Sequence, residues 1–256
     1  MEPRLVWPAP GLPELLGCGK AEISLLVDHY LDLESLRHWA AGLVLVDHHG
    51  ERIALAVERI DPAPDPAELG HPSAAAALST CGGGPALVRL RPSQPIAPLA
   101  GRTTRLFSVC RAETIVRRNC IAVVVPGRRL RLAFASDIHI AELWDRVFAA
   151  IERHAPDLLD KAVHPSRLLS QLVAEVNALA ATGEIDLVVF GGDLVDHVYV
   201  QPRAEVARGR RETNLEIFLD LIAPLQVPAF TIAGNHDYRL YPWRPRAYGL
   251  GSIGLD

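Results

Sequence analysis

Three short segments in the second half of the chain concentrate side chains that can bind metal ions. The segments are "SDIHI", "GGDLVD" and "GNHD", and their polar members are Asp137, His139, Asp193, Asp196, Asn235, His236 and Asp237. Carboxylate, imidazole and amide groups together offer oxygen and nitrogen donors that suit divalent Mn, Fe or Zn. These residue types predict a metal centre, provided that the fold brings the three segments together.

The spacing within the segments fits the same chemistry. On an extended segment, side chains two residues apart point to the same side, so we expect Asp137 and His139 to chelate one ion. The carboxylate of Asp193 can place one oxygen on each of two ions and hold them about 3.5–4 Å apart. Gly192 and Gly234 adjoin these side chains, where a close approach of backbone to a ligand favours glycine.

Each of the three segments follows a predicted strand. The strands are predicted over Leu130–Ser136, Ile185–Phe190 and Pro228–Ala233, and helical periodicity separates them over Glu142–His154, Arg167–Ala181 and Glu212–Ile222. This alternation predicts a βαβαβ unit, with a parallel sheet covered on both faces. Because ligand sites form at the carboxyl ends of parallel strands, we expect the three segments to converge.

The first 128 residues have a different character, with short apolar runs between breaks rich in proline and glycine. Strands are predicted over Glu22–Val27, Leu43–Val46, Ile53–Ile60, Ala86–Arg91 and Ile121–Val125, and one helix over Asp32–Ala41. We expect a β-sandwich-like domain over residues 1–128, similar to immunoglobulin or fibronectin modules, and an α/β domain over residues 129–256. The fold class predicted for the chain is α/β, or α+β overall.

Taken in order, "DIH", "GGDLVD" and "GNHD" resemble the first three sequence blocks of the calcineurin-like metallophosphoesterases. The resemblance covers residues 129–256 and implies a sheet sandwich built on a βαββαβ pattern around a dinuclear metal site. It also implies a phosphomonoesterase or phosphodiesterase that acts through two divalent ions (Mn, Fe or Zn) and a bridging hydroxide. The expected partner is a phosphorylated small molecule or another phosphoester substrate.

The resemblance assigns a metal-binding role to four of these residues. Asp137 and His139 would bind the first ion, Asp193 would bridge both ions, and Asn235 would bind the second ion.

The remaining polar residues receive other roles from the resemblance or from their chemistry. By resemblance, His236 contacts the phosphate and assists departure of the leaving group, and Asp237 orients His236. Asp196 is interpreted as an acceptor that supports the ligands, in preference to direct metal ligation. His197 is interpreted as a surface residue.

The sequence also departs from the family pattern. Members of the family carry two later histidine blocks that complete both coordination shells, and no histidine follows His236 here. We therefore expect residues 129–256 to be the N-terminal part of a catalytic domain, a fragment of the full enzyme, in which the second ion binds weakly.

The layout of a β-rich leader before the phosphoesterase blocks resembles that of the purple acid phosphatases. Those enzymes carry an iron-ligating tyrosine three residues after the bridging aspartate, where this chain has Asp196, so their charge-transfer chemistry is not expected. The alternative function is a non-catalytic binding protein with a degenerate phosphoesterase domain. A nuclease is the third choice, because a formal net charge of -4 does not favour nucleic-acid binding.

Composition and cysteines bear on where the protein acts. The apolar runs are far shorter than the roughly 20 residues of a membrane-spanning helix, and the N-terminus lacks the pattern of a secretory signal. The sequence as written predicts a cytoplasmic protein, and nothing in it indicates an oligomeric state. A disulfide between Cys110 and Cys120, which flank a predicted hairpin, would instead indicate an oxidising compartment; the alternative is two buried free thiols.

Overall fold

A computed structural model describes residues 2–19, 22–62, 64–65, 84–97, 99–197 and 213–238 of the chain. The chain divides into two compact units, of which the first contains residues up to 132 together with 179–187 and 226–230. The second unit contains the remaining segments. Strands and helices both contribute, so the mixed α/β class predicted from the sequence is confirmed.

The first unit contains eight strands and one helix among the described residues. They are β1 (Arg4–Trp7), β2 (Glu14–Gly17), β3 (Ile23–His29), α1 (Leu33–Ala41), β4 (Leu43–Asp47), β5 (Arg52–Pro62), β6 (Gly84–Pro92), β7 (Thr104–Arg111) and β8 (Thr114–Val124). The strands form one sheet in the order β1-β3-β6-β5-β4-β7-β8-β2. The pairing of β2 with β8 is parallel, and the other pairings are antiparallel.

The long strand β5 joins the two halves of this sheet. Its first residues pair with β4, where Ala54 lies opposite Val44, and the rest of the strand pairs with β6. A bulge between Val57 and Arg59 lies close to the change of partner. Because bulges bend a strand and increase its twist, the sheet curls around one hydrophobic core. The assignment to an immunoglobulin-like or fibronectin-like module stays a prediction.

The helix α1 begins and packs as its sequence predicts. The carboxylate of Asp32 accepts the backbone N–H of Ser35 at 2.8 Å, which satisfies a donor that the first turn cannot pair internally. Leu36 and Trp39, which are 0% and 5% exposed, pack into the core that the curled sheet encloses. The helix predicted over Asp32–Ala41 therefore forms, with Asp32 as its cap.

Strands β7 and β8 form the predicted hairpin, but its cysteines are not bridged. Cys110 pairs with Ile115 near the turn, whereas Cys120 adjoins Ile121, which lies opposite Phe107 farther along the hairpin. Both thiols are buried and free, and burial raises the pKa of Cys120 to about 12. The disulfide considered from the sequence is therefore wrong, because the register of the hairpin sets the two cysteines at different levels.

The second sheet and the helices around it follow in alternation. In chain order they are β9 (Leu132–Ala135), α2 (Leu143–His154), a 3₁₀ helix (Pro156–Lys161), α3 (Pro165–Ala181), β10 (Leu187–Phe190), α4 (Asn214–Ile222), β11 (Ala229–Thr231) and a second 3₁₀ helix (His236–Tyr238). The three strands form a sheet in the order β11-β10-β9. Each predicted strand and helix of this half is found, with shorter strands than the apolar runs suggested.

The helices of the second unit use apolar faces to cover the strands. Phe190 on β10 and Phe218 on α4 are 1% and 0% exposed, and their rings meet edge to face with centroids 5.4 Å apart. Thr213 begins α4 with a capping box in which its side chain and that of Glu216 each accept a backbone N–H. Among the described residues, no helix has the length and apolar character to cross a membrane.

Candidate metal centre

The polar residues after β9 and β10 have an unusual backbone conformation. Asp137, His139 and Asp193 have positive φ angles of 57°, 53° and 48°. This left-handed conformation costs L-residues on the order of 1–3 kcal/mol and persists only where the surrounding structure enforces it. The extended geometry predicted for Asp137 and His139 is therefore wrong. Both residues have a left-handed backbone conformation, and their ligand atoms nevertheless lie close together.

Hydrogen bonds between the two segments enforce this conformation. The backbone N–H of Asp137 donates to the carbonyl of Gly192 at 3.1 Å, and that of His139 donates to the carbonyl of Asp193 at 2.9 Å. The pairing continues as a parallel bridge between Ile140 and Val195. The segments after β9 and β10 therefore remain side by side beyond the end of the sheet.

Two glycines allow a third segment to approach equally closely. A Cβ added at Gly192, whose φ is 103°, would lie 2.9 Å from Cα of Gly234. A Cβ added at Gly234 would lie 2.2 Å from Oδ1 and 2.3 Å from the backbone nitrogen of Asp193. All three separations are too short for real atoms, so the segment after β11 can touch that after β10 only because both positions are glycine.

Asp137, His139 and Asp193 form a group that could hold a metal ion. One ligand atom from each residue lies within 4.8 Å of the others. In addition, Nδ1 of His139 is buried and has no hydrogen-bond partner among the described residues. Buried polar atoms are nearly always satisfied, so an unpaired imidazole nitrogen beside carboxylates fits a residue set built for a cation.

A second group shares His139 with the first and was not predicted as a ligand set. His139, Asp196 and His236 also offer ligand atoms within 4.8 Å of one another. The Oδ1 atom of Asp196 lies 3.6 Å from Nδ1 of His139 and 3.5 Å from Nδ1 of His236. The two imidazole rings meet edge to face with centroids 4.7 Å apart. The sequence signal for this group was Asp196, three residues after Asp193.

Asp196 is held by its neighbour in the chain. Its Oδ2 atom lies 3.1 Å from Nδ1 of His197, and this side-chain hydrogen bond is the main reason why the pKa of Asp196 lies below its usual value. Burial acts in the opposite direction, and the charges of the nearby histidines lower the pKa further. The side chain of His197 is only 17% exposed, so its interpretation as a surface residue is wrong.

The residues after β11 are fixed mainly through backbone groups. Ring atom Nδ1 of His236 lies 2.7 Å from the carbonyl oxygen of Asp196. The carboxylate of Asp237 accepts the backbone N–H of Val195 at 3.0 Å and that of Gly234 at 2.7 Å. Asp237 therefore ties the third segment to the second, and its predicted role in orienting His236 stays a prediction.

Asn235, the predicted ligand of the second ion, precedes the 3₁₀ helix and is exposed to solvent. Its predicted role also stays a prediction.

Two further residues support the site without any signal in the sequence. Nε1 of Trp144 donates to the carbonyl of His139 at 3.1 Å, which holds the strained residue from the start of α2. Asn214, which is 2% exposed, accepts the backbone N–H of Glu142 at 3.0 Å and donates to the carbonyl of His197 at 2.9 Å. The first turns of α2 and α4 are thereby joined to the candidate ligand segments.

Comparison with known proteins links the second half of the chain to one family. Residues 130–253 match the model of the calcineurin-like phosphoesterase family. A search of curated proteins found no match. A search of solved structures found a purple acid phosphatase from yellow lupin (Lupinus luteus) seeds, with 14% identity and a TM-score of 0.32. The match covers 91% of this chain and 35% of that structure, so this chain spans about a third of its length.

Proposed function

We infer the function from one premise, that residues 130–253 belong to the calcineurin-like phosphoesterase family. Metal-dependent hydrolysis of a phosphoester is the activity that this membership supports. We propose that the chain supplies the first part of a dinuclear metal site that acts on phosphomonoesters or phosphodiesters of small molecules.

The observation that carries the proposal is the grouping of Asp137, His139 and Asp193. Their ligand atoms lie within 4.8 Å of one another, and all three residues, which come from two segments more than 50 positions apart, adopt a strained backbone. Because strain of this kind concentrates at functional sites, a role in packing alone explains it poorly. In the proposed site, these three residues hold the first of two divalent ions.

The second ion is assigned to Asp193 and Asn235. A single carboxylate has two oxygens, so Asp193 can contribute to both ions. Asn235 follows β11 next to Gly234, whose backbone closely approaches Asp193. Oxygen and nitrogen donors of this kind suit Mn, Fe and Zn, and the proposal covers these three metals.

His236 is assigned to the phosphate and the leaving group. When bound, the two cations would acidify water and draw charge from the phosphoryl oxygens. The 2.7 Å separation between Nδ1 of His236 and the Asp196 carbonyl supports a tautomer in which Nδ1–H donates to that carbonyl. In the proposed mechanism, Nε2 of His236 therefore faces the substrate. When the ring is cationic, Nε2 carries a proton that it can donate to the departing oxygen. Asp237 keeps Gly234 and Val195 in place.

The experiment that tests this function measures hydrolysis of p-nitrophenyl phosphate and of bis(p-nitrophenyl) phosphate by the metal-loaded chain. We expect slow turnover of one or both esters with Mn²⁺, because the second ion binds weakly, together with loss of turnover with a chelator and in Asp193→Asn. The control variant Asp160→Asn removes an exposed carboxylate from the 3₁₀ helix Pro156–Lys161 and should keep the activity. Turnover that Asp193→Asn leaves unchanged would overturn the proposal.

A further inference from the structure

A groove in the first unit is independent of the proposed phosphoesterase chemistry. It has a volume of about 560 Å³, and its walls include Glu2, Arg4, Leu5, Trp39, Arg111 and Arg117. Sites for small molecules in proteins have volumes of about 300–1,000 Å³. The groove is therefore large enough for an organic ligand.

Positive charge exceeds negative charge along the groove. Its lining contains three guanidinium groups and one carboxylate, that of Glu2. Arg4 donates to the carboxylate of Asp28 at 3.3 Å. Nη1 of Arg111 lies 3.9 Å from Oε1 of Glu2, which is too far for a hydrogen bond, and the side chain of Glu2 is 84% exposed. Arg111 thus retains donor capacity that the carboxylate of Glu2 does not use.

Two of the guanidinium groups, those of Arg111 and Arg117, are held in place by neighbouring residues, and each has one buried Nε–H without a partner among the described residues. A Cβ at Gly42 would lie 3.4 Å from Nε of Arg111, so the arginine side chain runs closely past the end of α1. Arg117 donates to the carbonyl of Leu5. These contacts hold the two arginine side chains in place at the wall of the groove.

The electrostatic surroundings of Arg117 favour a bound anion. Burial is the main reason why the pKa of Arg117 lies below its usual value; the interaction with Cys120 acts in the opposite direction, and the nearby charge of Arg4 lowers the pKa again. Burial and the charge of Arg4 oppose the cationic form, and an anion between the guanidinium groups would offset them. Arginine is suited to carboxylate and phosphate because its planar fork can donate two parallel hydrogen bonds.

The groove also offers apolar surface for the rest of a ligand. Leu5 and Trp39 line its wall from β1 and α1, but they are only 1% and 5% exposed and leave a ligand little surface to contact. Ile115 on β8 also lines the groove and is 43% exposed. A ligand that fills this space therefore needs an apolar part next to its anionic group.

We propose that this groove binds a small organic anion whose carboxylate or phosphate pairs with Arg111 and Arg117 and whose apolar group lies against Ile115. The β-rich unit then contributes a binding site of its own. This inference does not depend on the metal centre.

The test is calorimetric titration of the full chain with benzoate and with phenyl phosphate, and benzyl alcohol serves as the uncharged reference. A chelator is present throughout, so that phenyl phosphate does not report on a metal ion. We expect at least one of the two anions to bind and benzyl alcohol to bind at least tenfold more weakly. Binding of benzoate alone, of phenyl phosphate alone or of both would support the site and identify the head group that it prefers.

Variants assign any observed binding to this groove. Arg111→Gln and Ile115→Glu should each weaken anion binding about tenfold or more, the first by removing a cation and the second by adding a charge at an exposed position. The matched control is Arg91→Gln, an exposed arginine on β6 that pairs with Glu58 and should leave binding unchanged. Ile115→Glu keeps the test valid even if Arg111→Gln fails to fold. The proposal is overturned if neither anion binds, or if folded Ile115→Glu binds as tightly as the original chain.

Discussion

The backbone N–H of His236 donates to Oδ1 of Asp193 across 2.9 Å, although the two residues are 43 positions apart. This hydrogen bond joins the segment after β11 to the segment after β10, together with those of Asp237 and of the His236 ring. A carboxylate that accepts a backbone N–H is restricted in its rotation, so Asp193 is oriented before any ligand arrives. The absence of a side chain at Gly234 lets the two segments come close enough for this hydrogen bond.

The two candidate ligand groups share His139, and this predicts an order among variants. His139→Ala should weaken Mn²⁺ binding more than Asp137→Asn or Asp196→Asn, because each carboxylate belongs to only one group. Isothermal titration of the three variants with Mn²⁺ measures the order. Affinity in His139→Ala equal to that of the original chain would contradict both groups.

Gly234→Ala should damage the candidate metal centre without a change in charge. The new Cβ would lie 2.2 Å from Oδ1 and 2.3 Å from the backbone nitrogen of Asp193, so the segment after β11 must move away. We expect loss of Mn²⁺ affinity by about tenfold or more, measured by titration. Gly17→Ala is the control, since its Cβ would meet Pro126 at an ordinary 3.8 Å. Equal affinity in both variants would show that the close approach is unnecessary.

The buried ion pair of Asp47 and Arg105 in the first unit should make the stability of the protein depend on pH in the acidic range. Burial alone would raise the pKa of Asp47, but hydrogen bonds from Arg105, His49 and Glu51 and the charge of Arg105 outweigh it and lower the pKa. A lowered folded-state pKa stabilises the protein above the unfolded-state value of about 3.9. This stabilisation is lost as the pH falls through the pKa of folded Asp47.

The variant Asp47→Asn tests this dependence. The side chains of Arg105 and Asp47 are 3% and 0% exposed, and loss of the carboxylate leaves the buried cation with Glu51 as its remaining ionic partner. The substitution should therefore cost about 1–3 kcal/mol at neutral pH. Its unfolding free energy should also fall less steeply than that of the original chain below about pH 4. Urea denaturation at several pH values measures both effects, with exposed Asp160→Asn as the control. Identical pH profiles for Asp47→Asn and the original chain would refute the role of the pair.

Phe218 should be the main apolar anchor of α4. It is fully buried against Phe190, so Phe218→Ala should reduce the unfolding free energy by about 3–5 kcal/mol. Leu215→Ala on the same helix is the control, because Leu215 is 47% exposed and its loss should cost much less. Urea denaturation of both variants measures the difference. Similar losses in the two variants would mean that α4 is not anchored through Phe218.

The sequence predicted those elements whose signals are local. The helix α1 carries its own capping residue, Asp32, and the alternation of β9, β10 and β11 with helices follows from periodicity over short windows. Strands β1 and β2 were not predicted, and each has only four residues. Of β7, only the end next to the predicted hairpin was anticipated, and the rest of this strand places Thr104 and Arg105 among its buried side chains. Arg105 can be buried because Asp47, from another strand, neutralises its charge. Asp47 is too distant in the sequence for short-range pattern analysis to detect this pairing.

For the candidate metal centre too, the sequence predicted some features and not others. The residue types and their positions after three strands were readable, and the structure brings Asp137, His139 and Asp193 together. Their left-handed conformation was not readable, because it depends on hydrogen bonds to residues more than 50 positions away, such as that from Asp137 to Gly192. The group of His139, Asp196 and His236 was missed for the same reason, since three separate segments supply it.

Elemental analysis after loading and desalting gives the number of Mn²⁺ ions retained per chain and tests the metal centre itself. We expect the original chain and the control Asp160→Asn to retain at least one ion, and Asp193→Asn to retain clearly less. Asp193→Asn keeps an oxygen that can accept the N–H of His236, so the comparison isolates the loss of charge. An original chain that retains no ion, or an Asp193→Asn variant that retains as much, would contradict the assignment of these residues to a metal centre.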